Sequence, residues 1–283
     1  MDPNPALTHL YSCSRWCGLD PNKVIADYVR IGEETCEQLR GTTHVENLPY
    51  SGSDQNEPIL TQIDVWGEVK DHLVIFIHGG FWQEGTRKVV SPAAVNLVKR
   101  SIAMAAVGYD YASPTHPLSQ VVQEVVTATE FLLSKYPQVR TVTLAGHSAG
   151  AQLAFKVAAH LRHRKIRRLI LFAGVFDLSE LPFCEIGTSI GLTPEEAKKG
   201  SCSASELEGL NIRVQILIAG KDSPKLIEQN RAMVNELKNH GIAVEAHEFV
   251  ECDHFSIIHG LCHDNEEQTR KFVAFLCDST LSF

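Results

Sequence analysis

Apolar and polar positions along the chain recur with a period that changes repeatedly, and each change marks an element. Residues 24–40 carry Ile25, Tyr28, Val29 and Ile31 at roughly helical spacing, with Gly41 behind them, and predict an amphipathic helix. Residues 59–66 alternate as an edge-type strand does. Residues 73–77 are a continuous apolar run of the kind buried on both faces of a parallel sheet. Strand and helix then take turns: helices over 91–100, 118–135, 149–160, 224–239 and 266–277, strands over 102–107, 142–145, 169–172, 214–219 and 244–249. Such alternation implies parallel strands joined by right-handed crossovers. The fold class expected is α/β, a mostly parallel central sheet flanked by helices.

Three stretches depart from the rhythm. Residues 1–22 read as a loosely ordered arm and 46–58 as a polar connection rich in turn formers. Residues 177–210 read as a small cap insertion above the sheet. The 283 residues are long for one domain, but α/β chains often run this far around one sheet. We therefore expect a single domain over 1–283, with 1–58 as N-terminal arm and helix.

The net charge of −8, with basic residues scattered except over 160–168, sets aside a nucleic-acid or membrane-surface role. That basic run is expected at a helix C-terminus, where cations are favoured. The first ten residues lack the pattern of a leader, and no stretch is apolar for long enough to span a bilayer. The eight cysteines (13, 17, 36, 184, 202, 252, 262 and 277) form no regular framework and read as reduced thiols of a cytoplasmic protein. The expected partner is a small-molecule substrate, with a homodimer left open.

Chemistry concentrates in 141–152. A short apolar run leads into Gly146-His147-Ser148-Ala149-Gly150 and then into an alanine-rich stretch, the order strand, tight turn, helix. A G-x-S-x-G sequence there is a nucleophile elbow: small flanking residues let the turn hold its serine strained and exposed, and the helix N-terminus favours developing negative charge. Gly187-Thr188-Ser189-Ile190-Gly191 repeats the pattern without a buried strand before it or a helix directly behind it. Ser189 is a decoy.

A serine hydroxyl needs a base, and the base an acid behind it. Ser148, Asp222 and His254 fall at expected strand ends in the order serine, acid, histidine. Asp253 is the rival acid, disfavoured because a neighbour of the histidine points elsewhere. His78-Gly79-Gly80-Phe81, after a buried strand, supplies an oxyanion hole from the amides of Gly80 and Phe81, completed by that of Ala149. Cys252, His254, His259, Cys262, His263 and Asp264 cluster in sequence but fit no common zinc spacing, and no second pair answers Cys13 and Cys17. Neither a metal nor another cofactor is expected.

His-Gly-Gly-Phe-Trp (78–82), Gly-His-Ser-Ala-Gly (146–150), Gly-Lys-Asp-Ser-Pro (220–224) and Asp-His-Phe (253–255) together resemble the animal kynurenine formamidases, or arylformamidases. These sit near the hormone-sensitive-lipase-like branch of the α/β-hydrolases. Broader esterases carry a third glycine where this chain has Phe81. The resemblance implies an α/β-hydrolase fold and cleavage of N-formyl-L-kynurenine to formate and L-kynurenine in tryptophan catabolism, with a general carboxylesterase acting on short-chain or aryl esters as the alternative. An aryl leaving group wants aromatic walls, for which Phe81 and Trp82 are the candidates.

Overall fold

The computed structural model describes residues 2–51 and 60–278. Its strands are β1 (His44–Pro49), β2 (Gln62–Trp66), β3 (His72–Ile77), β4 (Ala103–Val107), β5 (Thr141–His147), β6 (Ile166–Phe172), β7 (Arg213–Ala219) and β8 (Ala243–Phe249). Among the described residues they form one sheet in the order β1-β2-β4-β3-β5-β6-β7-β8. β1 and β2 run antiparallel to their neighbours, and every pairing from β4 to β8 is parallel.

Because side chains alternate across a strand, the apolar run of β3 feeds two cores. Leu73, Ile75 and Ile77 pack with the helices α4 (Leu118–Lys135), α5 (Ala149–Leu161) and α8 (Pro224–Asn239), through Val125, Leu153 and Leu226 among others. Val74 and Phe76 face the opposite layer, where Leu39, Leu97 and Phe272 come from α2 (Pro21–Leu39), α3 (Pro92–Val98) and α10 (Glu267–Cys277). Burying each of these side chains contributes about 1.5–3 kcal/mol. A run apolar at every position is thus what a strand covered on both faces requires.

The chain before β1 is ordered, contrary to the expectation of a loose arm. Residues Pro5–Tyr11 form helix α1, capped by the Asn4 side chain, and Cys13–Arg15 form a 3-10 turn. Tyr11 is buried: its hydroxyl donates to Glu180 Oε2 (2.9 Å) and accepts from Gln229 Nε2 (3.1 Å). These bonds clip the arm to α8 and to the segment 177–210. That segment holds two short helices, α6 (Glu185–Ser189) and α7 (Pro194–Gly200), between 3-10 turns at Leu181–Phe183 and Ala204–Leu207. A one-turn helix, α9 (Ser256–His259), follows β8.

Other boundaries also move. Residues 46–49 of the expected connection belong to β1, and 52–58 lie outside the described residues. β2 is internal, because β1 covers the edge it was expected to present. Of the basic run, His160 and Leu161 close α5, as expected, residues 162–165 connect, and Ile166–Arg168 belongs to β6.

Candidate active site

β5 carries the chain to His147, α5 begins at Ala149, and Ser148 between them has φ 56° and ψ −121°. An L-residue reaches that conformation only under strain, of order 1–3 kcal/mol. The turn closes so tightly that a Cβ on Gly146 would lie 2.0 Å from the Gly150 carbonyl oxygen, and one on Gly150 2.2 Å from that of Ile77. Ser148 N–H donates to the Phe172 carbonyl at the end of β6 (2.9 Å), which holds the strained residue in place.

Asp222 follows β7 and His254 follows β8, and both are buried. His254 Nδ1 lies 2.6 Å from Asp222 Oδ2, and Asp222 Oδ1 accepts from the Ser223 amide (2.6 Å). With Nδ1–H committed to the carboxylate, the neutral ring keeps its Nε2 lone pair as acceptor. Asp253 is occupied elsewhere: its Oδ1 accepts from the amides of Phe255 (2.9 Å) and Ser256 (2.8 Å) at the start of α9. Ser148 and His254 line one cavity of about 310 Å³. Among the described residues no hydrogen bond joins their side chains, as is common before substrate tightens such a site.

Gly79, Gly80 and Phe81 form one wall of that cavity. Gly79 passes so close that a Cβ on it would lie 2.8 Å from Ser148 Cβ. Gly80, Phe81 and Trp82 then have φ of 108°, 46° and 62°. Two consecutive non-glycine residues on the left-handed side need external support. The Gly80 carbonyl accepts from Gln83 N (3.0 Å) and Glu84 N (3.1 Å), and the Trp82 carbonyl from Ala112 N (2.7 Å). Among the described residues the amides of Gly80, Phe81 and Ala149 donate to no protein acceptor.

Phe81 lines the cavity, but Trp82, expected as a second aromatic wall, does not. Its side chain is wholly buried, and its Nε1–H donates to Gln152 Oε1 (3.0 Å), while Gln152 Nε2 donates to the Gly200 carbonyl (2.8 Å). Trp82 therefore braces the loop from below. The apolar lining comes instead from Ile25, Val29, Phe81, Ile186 and Phe255, the first two on the exposed stripe of α2. Glu84 also lines the cavity; burial raises its pKa, and among the described residues it forms no ion pair.

Ser189 ends α6, where its hydroxyl donates to Gln83 Oε1 (2.6 Å); no strand precedes it. The cysteine and histidine cluster over 252–264 does not converge. Cys262 Sγ donates to the His259 carbonyl, His263 is exposed, and Asp264 pairs with Lys99 and Arg100.

Three further residues meet at the site in ways the sequence did not reveal. Tyr28, on the apolar stripe of α2, directs its hydroxyl to His147 Nδ1 (3.2 Å). His147 Nε2 lies 2.8 Å from the His254 carbonyl oxygen. Cys13, from the arm, lines the cavity with Ser12 and Ser14. Each depends on contacts between segments more than 100 residues apart.

A model of the alpha/beta hydrolase fold family matches residues 74–258. The chain is similar to the kynurenine formamidase of Danio rerio (28% identical over 277 residues, 94% of each chain) and to that of Salmo salar (27% over 282 residues, 95% of each). The kynurenine formamidase of Drosophila melanogaster is 26% identical over 270 residues, 89% of each chain. Among solved structures, a putative thioesterase from Silicibacter sp. TM1040 superposes with a TM-score of 0.71 at 19% identity, covering 87% of this chain and 90% of that one. Esterase B from Lactobacillus rhamnosis does so with a TM-score of 0.69 at 16% identity over 90% and 92%.

Proposed function

The chain belongs to the α/β-hydrolase fold family, and we propose that within it the chain hydrolyses the formyl amide of N-formyl-L-kynurenine, yielding formate and L-kynurenine in tryptophan catabolism. The observation that carries this reading is the similarity, over nearly the whole length, to kynurenine formamidases in a chain whose elbow serine lines one cavity with His254, itself paired with Asp222.

Ser148 Oγ attacks the formyl carbon while His254 Nε2 takes its proton. The carbonyl electron pair moves onto oxygen, which the amides of Gly80, Phe81 and Ala149 receive. Collapse breaks the C–N bond, His254 returns the proton to the aryl nitrogen, and L-kynurenine leaves a formyl ester on Ser148. Water, deprotonated by His254, attacks that ester and releases formate. Asp222 holds the ring in the tautomer both half-reactions need and stabilises the imidazolium.

The one-carbon acyl group needs little room beside the oxyanion loop, and the apolar walls suit the aryl ring. Glu84 offers an anion to the ammonium of the amino-acid end. No described helix is long and apolar enough to cross a membrane, and the cysteines, all unpaired, support a reducing, cytoplasmic setting.

Wild type should turn over N-formylkynurenine with kcat/KM well above that for a short-chain aryl ester, and Ser148→Ala should abolish both. The reverse preference would make the chain a general carboxylesterase. Activity surviving in Ser148→Ala would remove the serine mechanism.

A further inference from the structure

We propose that Cys13, Asp222 and His254 form a binding site for a borderline-soft divalent cation, Zn²⁺ or Cd²⁺, whose occupation switches the hydrolase off. Each residue offers one ligand atom, and the three atoms lie within 4.8 Å of one another; among the described residues this is the one such cluster. Ligands on a zinc ion at about 2.0–2.3 Å sit roughly 3.3–3.8 Å apart, so closure asks for shifts of about 1 Å. The three come from separate segments: the arm, the turn after β7 and the loop after β8.

One sulfur, one nitrogen and one carboxylate oxygen make a donor set suited to zinc or cadmium, and a poor one for the all-oxygen preferences of calcium and magnesium. Thiolate and carboxylate balance the dication, and binding releases the thiol proton. Cys13 and His254 both line the candidate active-site cavity, so an ion has the substrate's own route in. Beside Asp222, the hydroxyl of Ser223 is wholly buried and has no hydrogen-bond partner. It is a spare polar group next to the ligand set, placed to bond a metal-bound thiolate.

Occupation disables the base whichever nitrogen is taken. A metal on Nδ1 replaces the hydrogen bond to Asp222, and a metal on Nε2 removes the acceptor for the Ser148 proton. Inhibition thus rests on the hydrolase reading above, whereas binding does not. The sequence offered no second pair to accompany Cys13 and Cys17; the fold supplies Cys13 with different partners.

The test is titration of chelator-stripped full-length protein with Zn²⁺ and Cd²⁺. Wild type should lose activity at one equivalent and recover it with chelator. Cys13→Ser, measured against its own metal-free rate, should lose metal sensitivity by at least the roughly 10–100-fold that loss of even an outer-shell partner costs. The ultraviolet charge-transfer absorption of a cadmium–thiolate bond should appear at one equivalent in wild type, Ser148→Ala and Cys17→Ser, and be lost in Cys13→Ser. Equal inhibition of wild type and Cys13→Ser, or undiminished cadmium–thiolate absorption in that variant, would overturn the proposal. Failure of wild type to cleave N-formylkynurenine while Cys13-dependent absorption persists would instead overturn the functional reading and leave the site standing.

Discussion

His147 Nε2 lies 2.8 Å from the carbonyl oxygen of His254, so the residue before the elbow serine holds the backbone of the histidine that faces it. A carbonyl only accepts, so Nε2 carries the proton and Nδ1 is left to accept from the Tyr28 hydroxyl (3.2 Å). Burial, with His254 beside it, pushes the His147 pKa well below its ordinary value and keeps the ring neutral. Helix α2, the elbow and the loop after β8 are thereby joined in one chain of hydrogen bonds.

Tyr28→Phe removes one link of that chain while keeping the ring. With a buried hydrogen bond worth about 0.5–1.5 kcal/mol, kcat should fall roughly two- to tenfold with KM little changed. His147→Phe, which loses both links, should fall further. Steady-state kinetics on both variants checks this, and wild-type kcat in both would remove the link between His147 and the position of His254.

Removing Ser148, His254 or Asp222 should cost on the order of 10³-fold or more in kcat while leaving the circular dichroism spectrum intact. Asp253→Asn should cost far less, because that carboxylate serves two amides of its own loop. A serine-directed organophosphate should label Ser148 and not Ser189, as mapped by mass spectrometry. A normal rate in Asp222→Asn with a collapsed one in Asp253→Asn would exchange their roles.

Trp82→Phe should lower stability by about 1–3 kcal/mol, because Gln152 loses a buried donor, and should leave KM for N-formylkynurenine near wild type. Phe81→Ala, by contrast, alters the cavity wall and should raise KM. Denaturant melts alongside kinetics separate the two effects; a raised KM in Trp82→Phe at full stability would return that side chain to the substrate.

Stability should fall as the pH drops below about 6.5. Burial pushes the pKa of His72, His78 and His259 from 6.5 down to about 4, and that of His147 well below its ordinary value. Between those values the unfolded chain binds protons that the folded one refuses. Each histidine then removes up to about 1.4 kcal/mol per pH unit, and above the unfolded value it contributes no slope. Urea midpoints at several pH values would measure this. His72→Gln, at the far end of β3 from the cavity, should flatten the acid limb; an unchanged limb would mean that other groups set it.

Exhaustive chelation should leave activity at or above its starting level, since no step of the proposed mechanism calls for a Lewis acid. Cys262→Ser and His263→Ala should be near wild type in kcat. Loss of activity on chelation, restored by a divalent ion, would replace the serine mechanism with a metal-dependent one.

The alternation of strands and helices from β2 onward, the elbow and the loop after β3 were legible in the sequence, because each depends on neighbours within a few residues, whereas α1 and β1 were not. An apolar run such as 73–77 must be covered on both faces, and Gly146 and Gly150 leave room that no other residue does. Only the tertiary structure decided what lies between distant segments. It ordered the N-terminal arm, because Tyr11 finds Glu180 and Gln229 far along the chain, and it withdrew Trp82 from the cavity, because Gln152 offers its indole a buried acceptor. It also set Cys13 beside Asp222 and His254, and Tyr28 against His147. Local pattern reports which face of an element is apolar; which polar group waits opposite is settled when the faces meet, since a buried donor or acceptor takes whichever partner the packing brings within reach.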